Sequence, residues 1–375
     1  MEEKEKTLQE KLSELVNELE RQKKEKYDVV VPSDNLIALK EGNSIKMDVP
    51  ILDKDGNSIE TKRFGITNFC HNQISEKTGI PMKYYRKMID NDKIDLLADN
   101  INTWFPDKEK RFVRTLDGNI RALLSDRYRV IDNYDIFNAT LDEFKHVMEE
   151  HKIRIEIKRA DLTEQHLYIK ATSPDLLDEI LMGEPRTEVD PNNHKRVNEP
   201  VEGGIIIRNS EVGSGAFSVQ PFINVLVCQN GLIRTKALRH VHLGRTKEIG
   251  EIQWSNQTLE LEDATLWSKI KDMVYGTFNP EVFHSWIDEI NKVASNEIPK
   301  PTVAVDNIIK KYEIPKGERD NLLNQFTKES PTQWGLSMAV TRVAQDMEDY
   351  EKQVELEKIG ARILEEEIQS LVKES

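Results

Sequence analysis

The run Gly231–Lys247 holds Arg234, Lys236, Arg239, Arg245 and Lys247, adds His240 and His242, and contains no acidic residue. The chain around it is acidic, with a formal net charge of −14 over 375 residues. Arg234 and Lys236 lie two apart, so on a strand they share a face, and Arg245 and Lys247 repeat the spacing. Such a ribbon neutralises a phosphate backbone without reading bases. The competing reading is a solvated strand face. Few aromatic rings are near enough in sequence to stack bases, only Phe217 and Phe222.

A second cationic cluster, Arg121, Arg127 and Arg129 with Tyr128, lies close to Asp126, Asp132 and Asp135. The arginines suit a phosphate clamp with Tyr128 as a stacking ring. They suit an internal Arg–Asp network equally well. Glu156 and Lys158 share one face of an alternating segment whose other face carries Ile153, Ile155 and Ile157. With an upstream acid such as Asp132 or Asp135, that pair would hold a divalent metal and activate water for phosphodiester attack. His240 and His242 offer two imidazoles on one strand face, but no third metal ligand is close in sequence. There is no Walker loop, GxGxxG, GxSxG or HExxH, and no metal or other cofactor is expected.

Composition narrows the field. An acidic chain does not coat nucleic acid over its whole surface, but it can carry a basic groove. Two cysteines, Cys70 and Cys228, exclude a disulfide framework and a cysteine-rich zinc site, and both sit in apolar settings that suit buried thiols. No run approaches the roughly 18 apolar residues of a membrane span, and the N-terminus lacks an apolar signal core. The expectation is a cytoplasmic protein of a bacterial host cell, with no membrane partner.

The elements that must position these residues follow from periodicity. Leu8, Leu12, Leu15, Val16 and Leu19 mark an amphipathic helix over 1–26, able to pair with a second subunit or to dock on its own chain. Strands follow from Tyr27, with a hairpin at Asp55-Gly56. Thr67–Asn102 reads as three helices turning at Gly79–Pro81, a pattern resembling a small helix-turn-helix. Arg111–Lys170 reads as strands with a hairpin at Asp117-Gly118, interrupted by a helix over Asn133–Glu150 capped by Asp132. A long loop is expected over 183–203, before strands resume. From Thr258 the chain is helical, broken at Pro280, Pro299–Pro301 and Pro315. Gly213, Gly215 and Gly231 permit close backbone approach around the apolar run Pro221–Cys228. Strands and helices segregate rather than alternate, which predicts an α+β fold with a mixed or antiparallel sheet body. Three regions result: a charged helix (1–26), an α+β body (27–257) and a helical region with an acidic tail (258–375).

Several of these stretches resemble a known family. NSEVGSGAFSVQPFINVLVCQNGLI, RHVHLGR, IRALLSDRYRVIDNYDIF and QWGLSMAVTRVA are similar, in order, to the DUF932 family of phage- and plasmid-borne proteins, over roughly residues 60–345. Gln229 departs from that pattern, which has a hydroxyl residue there. The resemblance implies a mobile-element role in DNA replication, recombination or conflict with host defence, and it carries over no catalytic residue. The combined expectation is a non-catalytic protein that binds nucleic acid, single-stranded DNA in particular, as a homo-oligomer joined through its terminal helices. The alternatives are a metal-dependent nuclease using Glu156 and Lys158, and a factor that contacts a host enzyme or defence protein.

Overall fold

The computed structural model describes residues 8–53, 57–107, 109–181, 198–226, 231–233, 238–240, 256–347 and 350–373. The fold is α+β, with two sheets, an N-terminal helix and a helical C-terminal region.

The first half begins with α1 (Leu8–Glu25) and continues through β1 (Tyr27–Pro32), β2 (Ile37–Glu41), β3 (Ser44–Leu52) and β4 (Ser58–Ile66). Three helices follow, α2 (Asn68–Thr78), α3 (Met82–Asp90) and α4 (Ile94–Trp104), then β5 (Lys110–Leu116) and β6 (Asn119–Ser125). The six strands form one sheet in the order β1-β5-β6-β4-β3-β2, with β4 and β6 parallel and the other neighbours antiparallel. The three expected helices, turning at Gly79–Pro81, are present. Thr67 accepts the Cys70 amide to start α2, and Gly79, at φ 69°, ends it before Pro81. The three helices lie on the sheet, burying Ile74, Tyr85, Leu97 and Ile101 against Val31, Met47, Val113 and Ile120. The hairpin at Asp117-Gly118 forms as expected, both residues having positive φ, which matches the twist of the flanking strands. The Asp55-Gly56 turn lies outside the described residues.

The second half runs through α5 (Asn133–His151), β7 (Glu156–Leu162), β8 (Leu167–Leu181), β9 (Asn198–Asn209), β10 (Phe217–Val225), β11 (Gly231–Ile233) and β12 (Leu238–His240). These strands form an antiparallel sheet in the order β11-β10-β9-β8-β7, with β12 also on β10. Strand β9 starts at Asn198, so the last part of the expected 183–203 loop is strand; residues 182–197 lie outside the described residues. Alternate residues of β9 and β10, among them Ile205, Ile207, Val219 and Ile223, face the core built with α5, α6 (Asn256–Thr277) and α7 (Pro280–Ala294). The region expected as one body thus holds two sheets, each with its own apolar core.

The C-terminal helices are α8 (Pro301–Tyr312), α9 (Arg319–Phe326), α10 (Gln333–Gln345), α11 (Tyr350–Glu365) and α12 (Ile368–Val372). Pro280 and Pro301 sit at helix starts, where a missing amide costs nothing. The QWG stretch is a packing centre. Trp334 Nε1 donates to the buried Glu199 carboxylate at 3.0 Å, and Gln333 Nε2 donates to the Ile363 and Glu366 carbonyls at 2.6 and 2.9 Å. A Cβ on Gly335 would lie 2.0 Å from the Ser330 carbonyl oxygen.

The terminal helices spend their apolar stripes inside the chain. Leu15 and Leu19 of α1 are buried in the second core, and Arg21 and Lys23 pair with Asp117 and Asp135. In α11, Leu356, Ile359 and Ile363 are buried in the C-terminal core. The stripes read from the sequence as subunit contacts are therefore covered by the chain itself. No described helix is long and apolar enough to cross a membrane.

Candidate nucleic-acid interface and the junction between the sheets

The segment Asn209–Gly215, the end of β9 and the loop after it, is buried over Asn209–Val212 and bridges the two sheets. Asn209 Nδ2 donates to the Ile131 carbonyl and to Asn133 Oδ1, both at 2.8 Å. Tyr128 Oη donates to the Ser210 carbonyl at 2.8 Å. Gln73 of α2 bridges across, accepting the Leu123 amide at 2.8 Å and donating to the Val212 carbonyl at 2.9 Å. Gly213 has φ 81°, and a Cβ there would lie 2.6 Å from Leu124, so both backbone conformation and space require glycine.

Beneath the loop lies a buried charge network. Arg114 of β5 is 0% exposed. Its guanidinium donates to Asp28 at 2.8 and 3.0 Å, to Asp132 at 2.7 Å and to the Glu211 carbonyl at 3.1 Å. Lys26 adds a second cation on Asp132. Burial pushes the Asp132 carboxyl up, but Arg114 and Lys26 outweigh it and hold the group below its usual range. Because Asp132 is engaged there, it does not cap α5 with its side chain as the sequence suggested. The Asn133 amide donates to Glu211 Oε1 instead, at 2.6 Å.

The second arginine cluster divides on inspection. The β5–β6 register slips after Arg114, which opposes Ala122, so that Thr115 opposes Ile120 and Arg121 is left unopposed. Such a bulge re-aims a side chain. Arg121 accordingly turns inward, 6% exposed, with Nη2 2.7 Å from Glu211 Oε2. It is not part of a solvent-facing phosphate rim, since its charge is matched internally. Tyr128 is not an open stacking platform either. Its ring already stacks on Phe112, 6.4 Å between centroids, its hydroxyl is committed to Ser210, and burial pushes its pKa up. Arg127 and Arg129 lie half-buried on the connection from β6 to α5.

Arg121 and Glu211 line a cleft of about 850 Å³ between α1, the β5–β6 turn and the β7–β8 turn. Six carboxylates line it against three cations. No sequence signal pointed to this cleft, whose walls come from segments more than a hundred residues apart.

The Glu156–Lys158 pair sits on β7, at the sheet's outer edge. The two side chains pair with each other at 2.6 Å, and the Lys158 ammonium lowers the Glu156 pKa. Asp132 and Asp135, the acids expected to join them, are engaged by Arg114 and Lys26, and by Lys23. Among the described residues these acids do not join the Glu156–Lys158 pair in a metal-holding group. No group of three or more His, Cys, Asp or Glu side chains placed to hold a metal occurs among the described residues. Cys70 is buried, and its thiol pKa is pushed up by burial; Cys228 lies outside the described residues.

The cationic run begins on the opposite edge of the second sheet. Gly231–Ile233 pairs with Phe222–Asn224, and Leu238–His240 with Phe217–Val219, so Arg239 is opposite Ser218 and His240 opposite Phe217. The two pairings differ in register by two residues, and Pro221, which has no amide hydrogen to donate, lies between them on β10. Arg234, Lys236, His242, Arg245 and Lys247 lie outside the described residues. The apolar run Pro221–Cys228 is strand through Val225, with Phe222, Ile223 and Val225 fully buried; residues 227 and 228 lie outside the described residues.

Comparison with known proteins found no matching family model, no similar curated protein and no similar solved structure. The likeness to DUF932 proteins accordingly rests on the sequence motifs alone.

Proposed function

We propose that this chain is a non-catalytic nucleic-acid-binding protein whose preferred ligand is single-stranded DNA. The observation that carries the reading is the position of the acid-free cationic run. Its described residues form the outer edge strand of the second sheet, on β10. An edge strand has one side not engaged by its own sheet, and a basic segment at such an edge suits an anionic chain. The inward pairing of Arg121 leaves Arg234, Lys236, Arg239, Arg245 and Lys247 as the main phosphate contacts. The motif resemblance would put such a protein on a phage or plasmid, where single strands arise in replication and recombination.

Anisotropy titrations of a labelled single-stranded oligonucleotide at several salt concentrations test this. Affinity falls steeply with salt, and the log–log slope shrinks by roughly 0.7 for each phosphate contact removed. The double variant Arg245→Gln/Lys247→Gln shows that reduction. Absence of binding to any oligonucleotide at low salt ends the proposal.

A further inference from the structure

The corner between α6 and α7 passes over β9 and β10 and leaves a pocket of about 160 Å³ beneath it. Pro221 of β10, Met273 of α6, and Val282, Phe283 and Trp286 of α7 wall it, so its surface is largely apolar and aromatic. Two glycines shape the space. On β9, a Cβ at Gly203 would lie 3.0 Å from the Phe283 ring, so the bare backbone lets that ring settle on the strand. Gly276, near the end of α6, also lines the pocket, and a Cβ there would meet no atom within 4 Å. Gly276 does not have the positive φ of a helix-ending glycine either. Glycine weakens a helix relative to alanine, and here neither conformation nor packing requires it. Its effect is to leave that part of the pocket wall without a side chain.

Size and charge select what fits. Apolar cavities of about 150 Å³ take up benzene, so the pocket accommodates one six-membered ring. Asp272 is the one charged side chain among the described lining residues. It is exposed, and its carboxylate makes no hydrogen bond or ion pair with another described residue. Thr277, the lining hydroxyl, is already committed, donating to the Met273 carbonyl at 2.6 Å. A ring seated among the apolar walls therefore has one unengaged polar partner at the rim, and that partner is an anion. An ammonium group on the ring's substituent is the complement of such a carboxylate.

We infer that the pocket under the α6–α7 corner binds a small organic amine bearing a single ring, with the ring against Val282, Phe283 and Trp286 and the ammonium at Asp272. This goes beyond strand binding and does not depend on it, since the pocket and the cationic run share no residue.

Ligand-detected NMR titrations of the full chain with benzylamine, benzyl alcohol and methylamine test it. Benzylamine binds saturably, with a dissociation constant of about 1 mM. Benzyl alcohol, which keeps the ring but lacks the charge, binds about two- to fivefold more weakly, the worth of an exposed ion pair. Methylamine, a charge without a ring, shows no saturable binding. Gly276→Leu puts a side chain on the pocket wall and abolishes benzylamine binding, while its thermal midpoint does not fall, because leucine favours the helix. Asp272→Asn changes an exposed residue and removes the difference between benzylamine and benzyl alcohol. Absence of benzylamine binding overturns the site, and so does benzylamine binding that Gly276→Leu leaves unchanged. Equal binding of benzyl alcohol and benzylamine to the unaltered protein overturns the amine as the ligand class. None of these outcomes bears on oligonucleotide affinity, so this site and strand binding fail separately.

Discussion

Two buried groups of opposite sign make the stability of this protein a test of how its sheets are covered. His71, on α2, is 9% exposed, with Nδ1 2.9 Å from Tyr85 Oη. Burial, with a smaller push from Arg86, lowers its pKa from 6.5 to about 4. Between those values the unfolded chain binds the proton and the folded chain does not. Stability therefore rises with pH across that window and is lost as pH falls through it, by about 3 kcal/mol in all. Glu357, on α11, is 8% exposed, and burial raises its pKa from 4.5 to about 7, with Lys170 opposing and Gln353 and Lys358 opposing less. Here the folded chain holds the proton that the unfolded chain releases. Stability falls as pH rises from 4.5 to 7, again by about 3 kcal/mol. In the unaltered protein the two slopes largely cancel. His71→Phe leaves the falling slope alone, and Glu357→Gln leaves the rising one. The lost Tyr85 contact in His71→Phe offsets its curve without tilting it. Urea unfolding at half-unit steps from pH 4 to 7.5 gives the three profiles. Parallel profiles for the two variants would refute the reasoning, because they would mean that neither group changes its proton occupancy on folding.

Arg114→Met leaves the half-buried Asp28 and Asp132 without their shared, fully buried cation and lowers stability by about 3–5 kcal/mol, read from urea midpoints at neutral pH. Trp334→Phe keeps the ring's packing but removes a donor from the buried Glu199 carboxylate. The loss is about 1–3 kcal/mol, and it appears as a lowered thermal midpoint with unchanged oligonucleotide affinity.

The elements were legible because their signals are local. The positive φ of an Asp-Gly turn, the Gly79–Pro81 break and the helix-starting prolines are fixed by one or two residues, and the structure has each of them. The apolar run that begins at Pro221 needs only its own composition to suggest a buried strand. Partnering was not legible to the same degree. The α1 stripe of Leu15 and Leu19 looks the same whether it meets another subunit or its own sheet. Only the chain's return through Asp117, Asp132 and Asp135, which bind Arg21, Lys26 and Lys23, selects the second. Asp132 looked like a helix cap because its neighbours are helical, but the buried Arg114 and the half-buried Lys26 compete for the same oxygens and win.

Arg121 shows why the site itself was hidden. In sequence it belongs with Arg127 and Arg129, three cations in nine residues. A regular ladder opposite β5 would have given each residue from 120 to 123 its own partner and alternate faces. The slip after Arg114 breaks that alternation: Ile120 and Leu123 both enter the first core, and Arg121 turns toward the junction with Ala122. One unpaired residue thus converts a surface cation into a buried donor facing Glu211. The carboxylate it meets comes from the NSEVG stretch, whose glycine, asparagine and serines are all used in holding the loop. A polar loop between two sheets tolerates little change where it is buried: each group left unpaired there costs about 1–3 kcal/mol. Through Glu211 the stretch thus supplies part of the cleft wall.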